Sequence, residues 1–296
     1  MARGKAAIFC ATIMSSTRPH LSPQEKSLLK YLEADSRRTL SLAADHPWLT
    51  SITRNPEQLL SRLTQKQVAH RLQRGRYWVN TDGRATRYLG RLWELESLAP
   101  CLLGQIDCDW YISWHSALWH YGLIDQQSRQ LVVAASTRKR NAEIGPHRVR
   151  FVTLKPERFY GYHTEETADG AQVQMADLEK ALLDSFREPR LVGPCSVVAG
   201  ALITAWGSGE LDPERLVSYA IRSRNHSLIR RVGFWMEHLS MPHASDLLTH
   251  IGPEPACVTL LPGWKGLTDS VTAPSANRRW RVLEDKVLID IAENPS

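Results

Sequence analysis

The first periodic run of apolar residues predicts a helix near the N-terminus. In SPQEKSLLKYLEAD, Leu28 and Leu32 lie at helical spacing. Ser22 and Glu25 match the capping-box pattern, and Pro23 occupies the first helical position. We therefore expect a helix that begins directly after Ser22.

Two further helices are predicted in the next fifty residues. RRTLSLAADHPW is compatible with a short helix that stops before Pro47, and NPEQLLSRL can begin a helix at Asn55. The stretch LTQKQVAHRLQRG then predicts a helix from Thr64 to Arg74, with Val68, Ala69 and Leu72 facing inward. Gly75 would end this helix.

A basic hairpin is expected to follow. RYWVN alternates as a strand does, TDG is a turn signal, and RATRYLG can return as the second strand. Helices, then a polar helix, then a two-stranded hairpin form the order of a winged helix-turn-helix. Gln, Lys and Arg on such a helix can reach base edges in the major groove, while hairpin arginines contact the backbone. The predicted DNA-binding residues are Thr64, Gln65, Lys66, Gln67, His70, Arg71, Arg74, Arg76, Arg84 and Arg87.

Charge is distributed unevenly along the 296 residues. Residues 1–90 contain 15 Lys and Arg but 6 Asp and Glu, a net charge of +9. The rest of the chain contains 22 and 25, a net charge of −3. A basic segment joined to a near-neutral one favours nucleic-acid binding at the front of the chain, and a merely solvated basic surface is the alternative.

The remaining sequence predicts a larger mixed α/β domain. In WYISWHSALWHYGL, Trp114, Ala117, Leu118 and Tyr121 share one face of a predicted helix, with Ser116 and His120 opposite. QLVVAAS, RVRFVTL and the segments flanking Asp169 and Gly170 predict strands, DLEKALLDSF predicts a helix, and KVLIDI predicts a short strand. The expected fold class is α+β, with a basic tail at 1–20, a winged helix-turn-helix at 21–98 and an α/β domain at 99–296.

The sequence lacks the common short motifs of catalysis, metal binding and cofactor binding. The chain has no GxGxxG, GxxxxGK[ST], HExxH or GxSxG motif, and its five cysteines form no CxxC pair. We therefore predict no catalytic residue, metal or cofactor, and a cytoplasmic protein without a membrane span. A metal-dependent DNA-processing enzyme that uses Glu179 and Lys180 is the alternative, although adjacent strand residues would face opposite ways.

Several blocks of the sequence together resemble AbiEi-type antitoxins of bacterial type IV toxin–antitoxin and phage-defence systems. They are YISWHSALWHYGLIDQ, QLVVAAST, RVRFVTL with RFYGY, and VQMADLEKALLDSF, and the resemblance covers roughly residues 20–200. Tyr121 stands where the family has His before Gly122.

The resemblance implies a winged-helix domain that binds operator DNA and represses its own operon. It also implies a C-terminal domain that counteracts a nucleotidyltransferase-like toxin, in a family whose antitoxins generally form no tight toxin complex. Direct toxin binding by the N-terminal domain stays open as a further hypothesis. A homodimer on an inverted-repeat operator in double-stranded DNA is the expected assembly.

Overall fold

A computed structural model describes residues 19–35, 39–85, 99, 108–126, 128, 130–144, 147–166, 172–254, 256–262 and 275–293. The chain divides into two compact units. The smaller unit consists of residues 1–91 with 144–146, and the larger unit consists of residues 92–143 and 147–296. Both helices and strands occur in each unit, so the fold is mixed α and β with several sheets.

Within its described residues, the smaller unit contains three helices and a three-stranded antiparallel sheet. The elements are α1 (Pro23–Ala34), β1 (Thr39–Ser41), α2 (His46–Ile52), α3 (Pro56–Gln65), β2 (Ala69–Gln73) and β3 (Arg76–Val79). The sheet has the strand order β1-β3-β2. Leucines from all three helices, such as Leu28, Leu49 and Leu59, are fully buried in one core with Val68 and Val79.

The predicted helix starts at α1 and α3 are confirmed. Ser22 accepts a hydrogen bond from the Glu25 N–H at 3.3 Å, and Glu25 Oε2 accepts one from the Ser22 N–H at 2.7 Å. Asn55 caps α3 by accepting from the Gln58 N–H at 3.1 Å. The helix expected before Pro47 is wrong, because this stretch contains β1 and α2 runs through Pro47.

The helix predicted from Thr64 to Arg74 is also wrong. The chain leaves α3 after Gln65 and enters β2 at Ala69. Ala69 and Leu72 are both buried although they lie three residues apart, a spacing that imitates a helix. The pairing of β2 with β3 shifts register between Arg71 and Gln73, which is typical of a β-bulge and interrupts the two-residue alternation of a regular strand.

The hairpin is therefore displaced from its expected position. RYWV does form a strand, β3, but its partner is β2 and the connecting turn is Arg74–Gly75. Gly75 has φ of 74°, a left-handed conformation that glycine adopts without strain. The return strand expected at RATRYLG lies largely outside the described residues.

The larger unit is built around a six-stranded mixed sheet of order β6-β7-β5-β4-β9-β8. Its strands are β4 (Trp110–Ile112), β5 (Gln130–Ala135), β6 (Ala142–Ile144), β7 (His147–Thr153), β8 (Tyr162–Glu166) and β9 (Gln172–Ala176). Its helices are α4 (His115–His120), α5 (Leu178–Arg187), α6 (Cys195–Gly207), α7 (Pro213–Arg222), α8 (His226–His238) and α9 (Lys286–Glu293). A smaller sheet, of order β10-β12-β11, contains β10 (Val258–Thr259), β11 (Ser275–Asn277) and β12 (Val282–Glu284).

Most predicted elements of this unit are confirmed. The strands expected at QLVVAAS and RVRFVTL are β5 and β7, which pair in parallel, and DLEKALLDSF is α5. The strands on either side of Asp169 and Gly170 are β8 and β9, while the turn itself lies outside the described residues. KVLIDI forms α9, so the strand expected there is wrong.

The tryptophan-rich stretch joins a strand to a short helix. Trp110–Ile112 is β4, and α4 begins only at His115. Trp114, Ala117 and Leu118 are fully buried as predicted. Ser116 is also fully buried, contrary to expectation, and its Oγ accepts a hydrogen bond from the Val132 N–H at 3.1 Å.

Helix α5 is fixed to the sheet by its buried Asp184. Asp184 Oδ2 accepts hydrogen bonds from Tyr111 Oη and Ser113 Oγ, each at 3.0 Å. Asp184 Oδ1 accepts one from Lys180 Nζ at 2.6 Å, and the Asp184 carbonyl accepts from Trp114 Nε1 at 3.0 Å. These bonds tie β4, the start of α4 and α5 together.

The C-terminal segments are held by an arginine of α8. Arg230 is 2% exposed, and its guanidinium donates to the carbonyls of Ile251, Glu254 and Ala256 at 2.7 to 2.9 Å. These carbonyls would otherwise need water, so Arg230 orders an irregular segment against the helix. None of the described helices is both long and apolar enough to cross a bilayer.

Candidate nucleic-acid interface

Helix α3 has one apolar face and one polar face. Leu59, Leu60 and Leu63 are fully buried in the core of the smaller unit. At about 100° per residue, a second set of side chains shares the opposite face. This set is Gln58, Ser61, Arg62 and Gln65, of which Arg62 is half-buried and the others are exposed.

The polar face of α3 contains side-chain types that read base edges. Gln donates and accepts in the pattern that adenine presents, and Arg matches the two acceptors of guanine. Arg62 Nε is buried and makes no hydrogen bond. Arg54, exposed in the turn between α2 and α3, adds positive charge beside the helix.

The hairpin formed by β2 and β3 carries three arginines. Arg71 on β2 and Arg74 in the turn are exposed, and Arg76 on β3 is half-buried. Guanidinium groups on such a projection suit phosphate contacts, because they bind oxyanions through two parallel hydrogen bonds. Arg71, Arg74 and Arg76 were all predicted as DNA-binding residues, although Arg71 and Arg74 were expected on a helix.

The residues expected at the start of the reading helix have other positions. Gln65 lies exposed at the end of α3. Thr64 Oγ1 donates to the Leu60 carbonyl within the same helix at 2.8 Å. Gln67 is exposed in the turn after α3 with φ of 58°.

Lys66 is engaged inside the smaller unit. Its Nζ lies 2.9 and 2.7 Å from the two carboxylate oxygens of Glu25, which is fully buried. Burial alone would raise the pKa of Glu25, but the hydrogen bonds from Lys66 and Ser22 and the Lys66 charge together hold this pKa below its usual value. Lys66 therefore links α3 to α1.

The other predicted residues are divided between the hairpin and the chain after it. The His70 and Trp78 rings are 5.9 Å apart on neighbouring strands. Arg84 is half-buried, and its carbonyl accepts a hydrogen bond from Asn80 Nδ2 at 3.2 Å. Arg87 lies outside the described residues.

Three residues on the polar face of α3 were not predicted as DNA-binding residues. Gln58, Ser61 and Arg62 lie in NPEQLLSRL, which was predicted as a helix but not as the reading helix. The signal was present, because polar residues recur at positions 58, 61, 62 and 65, opposite the leucines. The base-reading helix was instead predicted at 64–74, because the apolar spacing there resembles that of a helix. The structure places α3 before this segment and strand β2 within it.

The enzyme alternative placed Glu179 and Lys180 at a metal. Both lie near the start of α5 and are 2% exposed. Glu179 Oε1 accepts from the Asp212 N–H at 2.9 Å, and Lys180 pairs with Asp184. Among the residues that the structure describes, no group of three His, Cys, Asp or Glu side chains is arranged to hold a metal ion.

Comparison with known proteins shows a likeness in fold. No protein family profile and no curated protein sequence matches the chain. A solved structure, the crystal structure of the RV2827C protein from Mycobacterium tuberculosis, is similar with a TM-score of 0.66 and 14% identity. The match covers 95% of this chain and 99% of that chain, so the two proteins share a fold over nearly their whole lengths.

Proposed function

We propose that the smaller unit is a winged helix-turn-helix that binds double-stranded DNA, with α3 in the major groove and the β2–β3 hairpin as the wing. The observation that carries this proposal is the polar face of α3 beside the arginines of the hairpin. The element order α1-β1-α2-α3-β2-β3 supports it, as does the net charge of +9 in residues 1–90.

The proposed base-reading residues are Gln58, Ser61, Arg62 and Gln65. Arg71, Arg74 and Arg76 are proposed to bind phosphates, whereas Lys66 keeps its role in joining α3 to α1. Phosphate contacts give affinity for any sequence, and base contacts give the difference between the operator and other DNA. The two sets are therefore separable by experiment.

The test is DNA binding by the full chain, measured by fluorescence anisotropy with DNA from upstream of its own gene and with random duplex. We expect Gln58→Ala with Gln65→Ala to weaken operator binding by about 1–3 kcal/mol per lost base contact and to leave random DNA nearly unchanged. Arg71→Ala with Arg74→Ala should weaken both and lower the log–log salt slope by about 2.

The matched control replaces exposed residues of α1, Gln24→Ala with Lys30→Ala, whose side chains lie on a different helix of the same unit. This control should bind as the unchanged protein does. Absence of binding at low salt, or equal losses for the control and the α3 variant, would contradict the proposal.

We further infer from the sequence resemblance that the protein is an autorepressor and antitoxin, acting against a nucleotidyltransferase-like toxin. A homodimer on an inverted repeat would place two copies of α3 about one DNA turn apart. Growth arrest caused by the neighbouring gene, and relieved by this chain, is the expected result. Failure of that rescue with retained operator binding would leave a repressor without antitoxin activity.

A further inference from the structure

The larger unit contains a cluster of cationic side chains that its own carboxylates do not satisfy. The arginine cluster consists of Arg158, Arg187 and Arg222, which come from a 3₁₀ turn, the end of α5 and the end of α7. Burial raises the pKa of Tyr160, which is 6% exposed, and the charges of all three arginines oppose that rise. Three separate segments thus bring guanidinium groups to one place.

Arg158 is the most enclosed member of the cluster. Its side chain is 15% exposed, and its Nη2 is buried without a hydrogen bond. The nearest carboxylate oxygens, on Asp184 and Glu188, lie 3.7 and 3.6 Å from its terminal nitrogens, beyond good hydrogen-bond distance. A buried donor without an acceptor is costly, and no residue in the described part of the chain offers Nη2 an acceptor within hydrogen-bond distance.

Asp184 does not supply that acceptor, because its Oδ1 lies 3.7 Å from Arg158 Nη2 and both of its carboxylate oxygens accept shorter hydrogen bonds from other groups. Lys180 Nζ donates to Oδ1 at 2.6 Å, and Tyr111 Oη and Ser113 Oγ donate to Oδ2. Lys180 also lies 4.9 Å from the centroid of the Tyr160 ring, which adds a fourth cation to the cluster's surroundings.

Arg187 and Arg222 are less enclosed and continue the cluster toward solvent. Arg187 is half-buried and forms no ion pair with a described residue. Burial, and next the neighbouring Arg158 charge, lower the pKa of Arg187, so its cation is held at a cost. Arg222 is exposed, and its Cζ lies 4.3 Å from the centroid of the Tyr160 ring.

The ends of α5 and α7 explain only part of this arrangement. A cation near a helix C-terminus gains about 0.3–1 kcal/mol from the helix dipole, which accounts for Arg187 and Arg222 taken singly. It does not account for a third, enclosed guanidinium beside Arg187. Four cations face two carboxylates, Asp184 and Glu188, which leaves an excess of two positive charges.

We propose that the arginine cluster binds the phosphate group of a small molecule, either inorganic phosphate or a phosphomonoester. Such a group bears a charge of about −1.5 to −2 at neutral pH and several strong acceptor oxygens, which match the excess charge and the unsatisfied donors. The phosphodiester of a DNA backbone bears a single charge. It also recurs along a line, whereas these arginines gather around one ring. The proposal is independent of DNA binding by the smaller unit.

The test is isothermal titration of the full chain with inorganic phosphate and with deoxyadenosine 5′-monophosphate at pH 8, against sodium chloride of equal ionic strength. We expect saturable binding of one phosphate group per chain. Binding should weaken about tenfold in Arg187→Gln, because one charge-assisted pair of hydrogen bonds is lost. The exposed neighbour Arg190 offers the matched control, and Arg190→Gln should bind within twofold of the unchanged protein.

Three further measurements complete the test, and the last of them distinguishes a small phosphate compound from the DNA backbone. Arg222→Gln, at an exposed position, is the second cluster variant and should also weaken phosphate binding if Arg187→Gln does not fold. Lowering the pH to 5.5 should weaken binding severalfold, because phosphate becomes a monoanion. Displacement of phosphate by duplex DNA without terminal phosphates would identify the backbone as the occupant instead. The proposal is overturned if both cluster variants bind phosphate as tightly as the unchanged protein does, or if binding does not saturate at phosphate on the order of 10 mM.

Discussion

At the residue scale, the chain's capping signals were readable because they depend on neighbours only three positions away. Ser22 with Glu25, and Asn55 with Gln58, form the contacts that their spacing predicts. The partner of Glu25 was not readable, since Lys66 lies 41 positions further along the chain. Lys66 was accordingly predicted to touch DNA, while the structure joins it to a buried carboxylate.

The Glu25–Lys66 pair predicts how the smaller unit responds to acid. The pKa of Glu25 is lowered on folding, so the stabilisation is present above its unfolded pKa and is lost as the pH falls through the folded one. Lys66→Met should cost about 1–3 kcal/mol at pH 7, because Glu25 keeps only its Ser22 contacts.

Urea unfolding of the full chain at pH 7 and below pH 4, followed by hydrogen exchange in α1 and α3, measures this effect. The difference between Lys66→Met and the unchanged protein should shrink in acid. The control is Lys26→Met, at an exposed position of α1. A loss that is the same at both pH values would mean that Lys66 acts through packing and not through charge.

At the element scale, the sequence predicted most helices and strands but misplaced the element that follows α3. A continuous apolar run identifies β5, whose burial at consecutive positions follows from its central place in the sheet, and apolar residues at alternate positions identify β7 and β9. Strand β2 does not follow these patterns, because its register shifts between Arg71 and Gln73 and its buried residues Ala69 and Leu72 lie three positions apart. A bulge is specified by pairing with β3, and such pairing cannot be read from β2 alone.

The packing of α5 against the sheet in the larger unit depends on the hydrogen bonds of Asp184. Asp184→Asn should destabilise the protein by about 3–5 kcal/mol, since Lys180 would remain buried as an uncompensated cation. Asp184→Asn combined with Lys180→Met should recover part of that loss, because the unpaired charge is gone. Asp246→Asn, at an exposed carboxylate, is the control and should change stability little.

Chemical denaturation at pH 7 of the unchanged protein, Asp184→Asn, Lys180→Met and the double variant supplies the double-mutant comparison. Additive losses would show that Lys180 and Asp184 act independently, contrary to their 2.6 Å contact. Near-UV circular dichroism would report in the same samples whether Trp114, bonded to the Asp184 carbonyl, keeps its environment.

At the scale of the whole molecule, the uneven distribution of charge predicts a basic N-terminal unit, and counting charged residues along the sequence is enough to make that prediction. Function in the larger unit could not be anticipated in this way, because its net charge of −3 conceals a local cationic excess. The arginines of the cluster are 29 and 35 positions apart and converge only through the packing of α5, α7 and a 3₁₀ turn. Their convergence is a property of the fold.

The same packing predicts an alkaline limit on stability in the larger unit. Burial and the charge of Asp184 raise the pKa of Tyr160 to about 12, and they place the pKa of Tyr111 well above its ordinary value of 10. Between pH 10 and 12 the unfolded chain loses these protons while the folded chain keeps them, so stability falls by about 1.4 kcal/mol per pH unit for each group. Lys180 has the opposite effect on stability below its ordinary pKa. Burial lowers the pKa of this side chain, so the folded chain loses the proton before the unfolded chain does and stability rises with pH in that range.

Urea unfolding at pH 9, 10 and 11, with phenolate absorbance recorded in parallel, checks this prediction. Tyr160→Phe should flatten the decline above pH 10 by removing one of the titrating groups, whereas Tyr31→Phe, at a side chain that is 44% exposed, should leave it unchanged. If both variants decline as steeply as the unchanged protein, Tyr160 does not keep its proton in the folded state. In that case the cationic surroundings of its ring, including the arginine cluster, stabilise its phenolate more than burial opposes it.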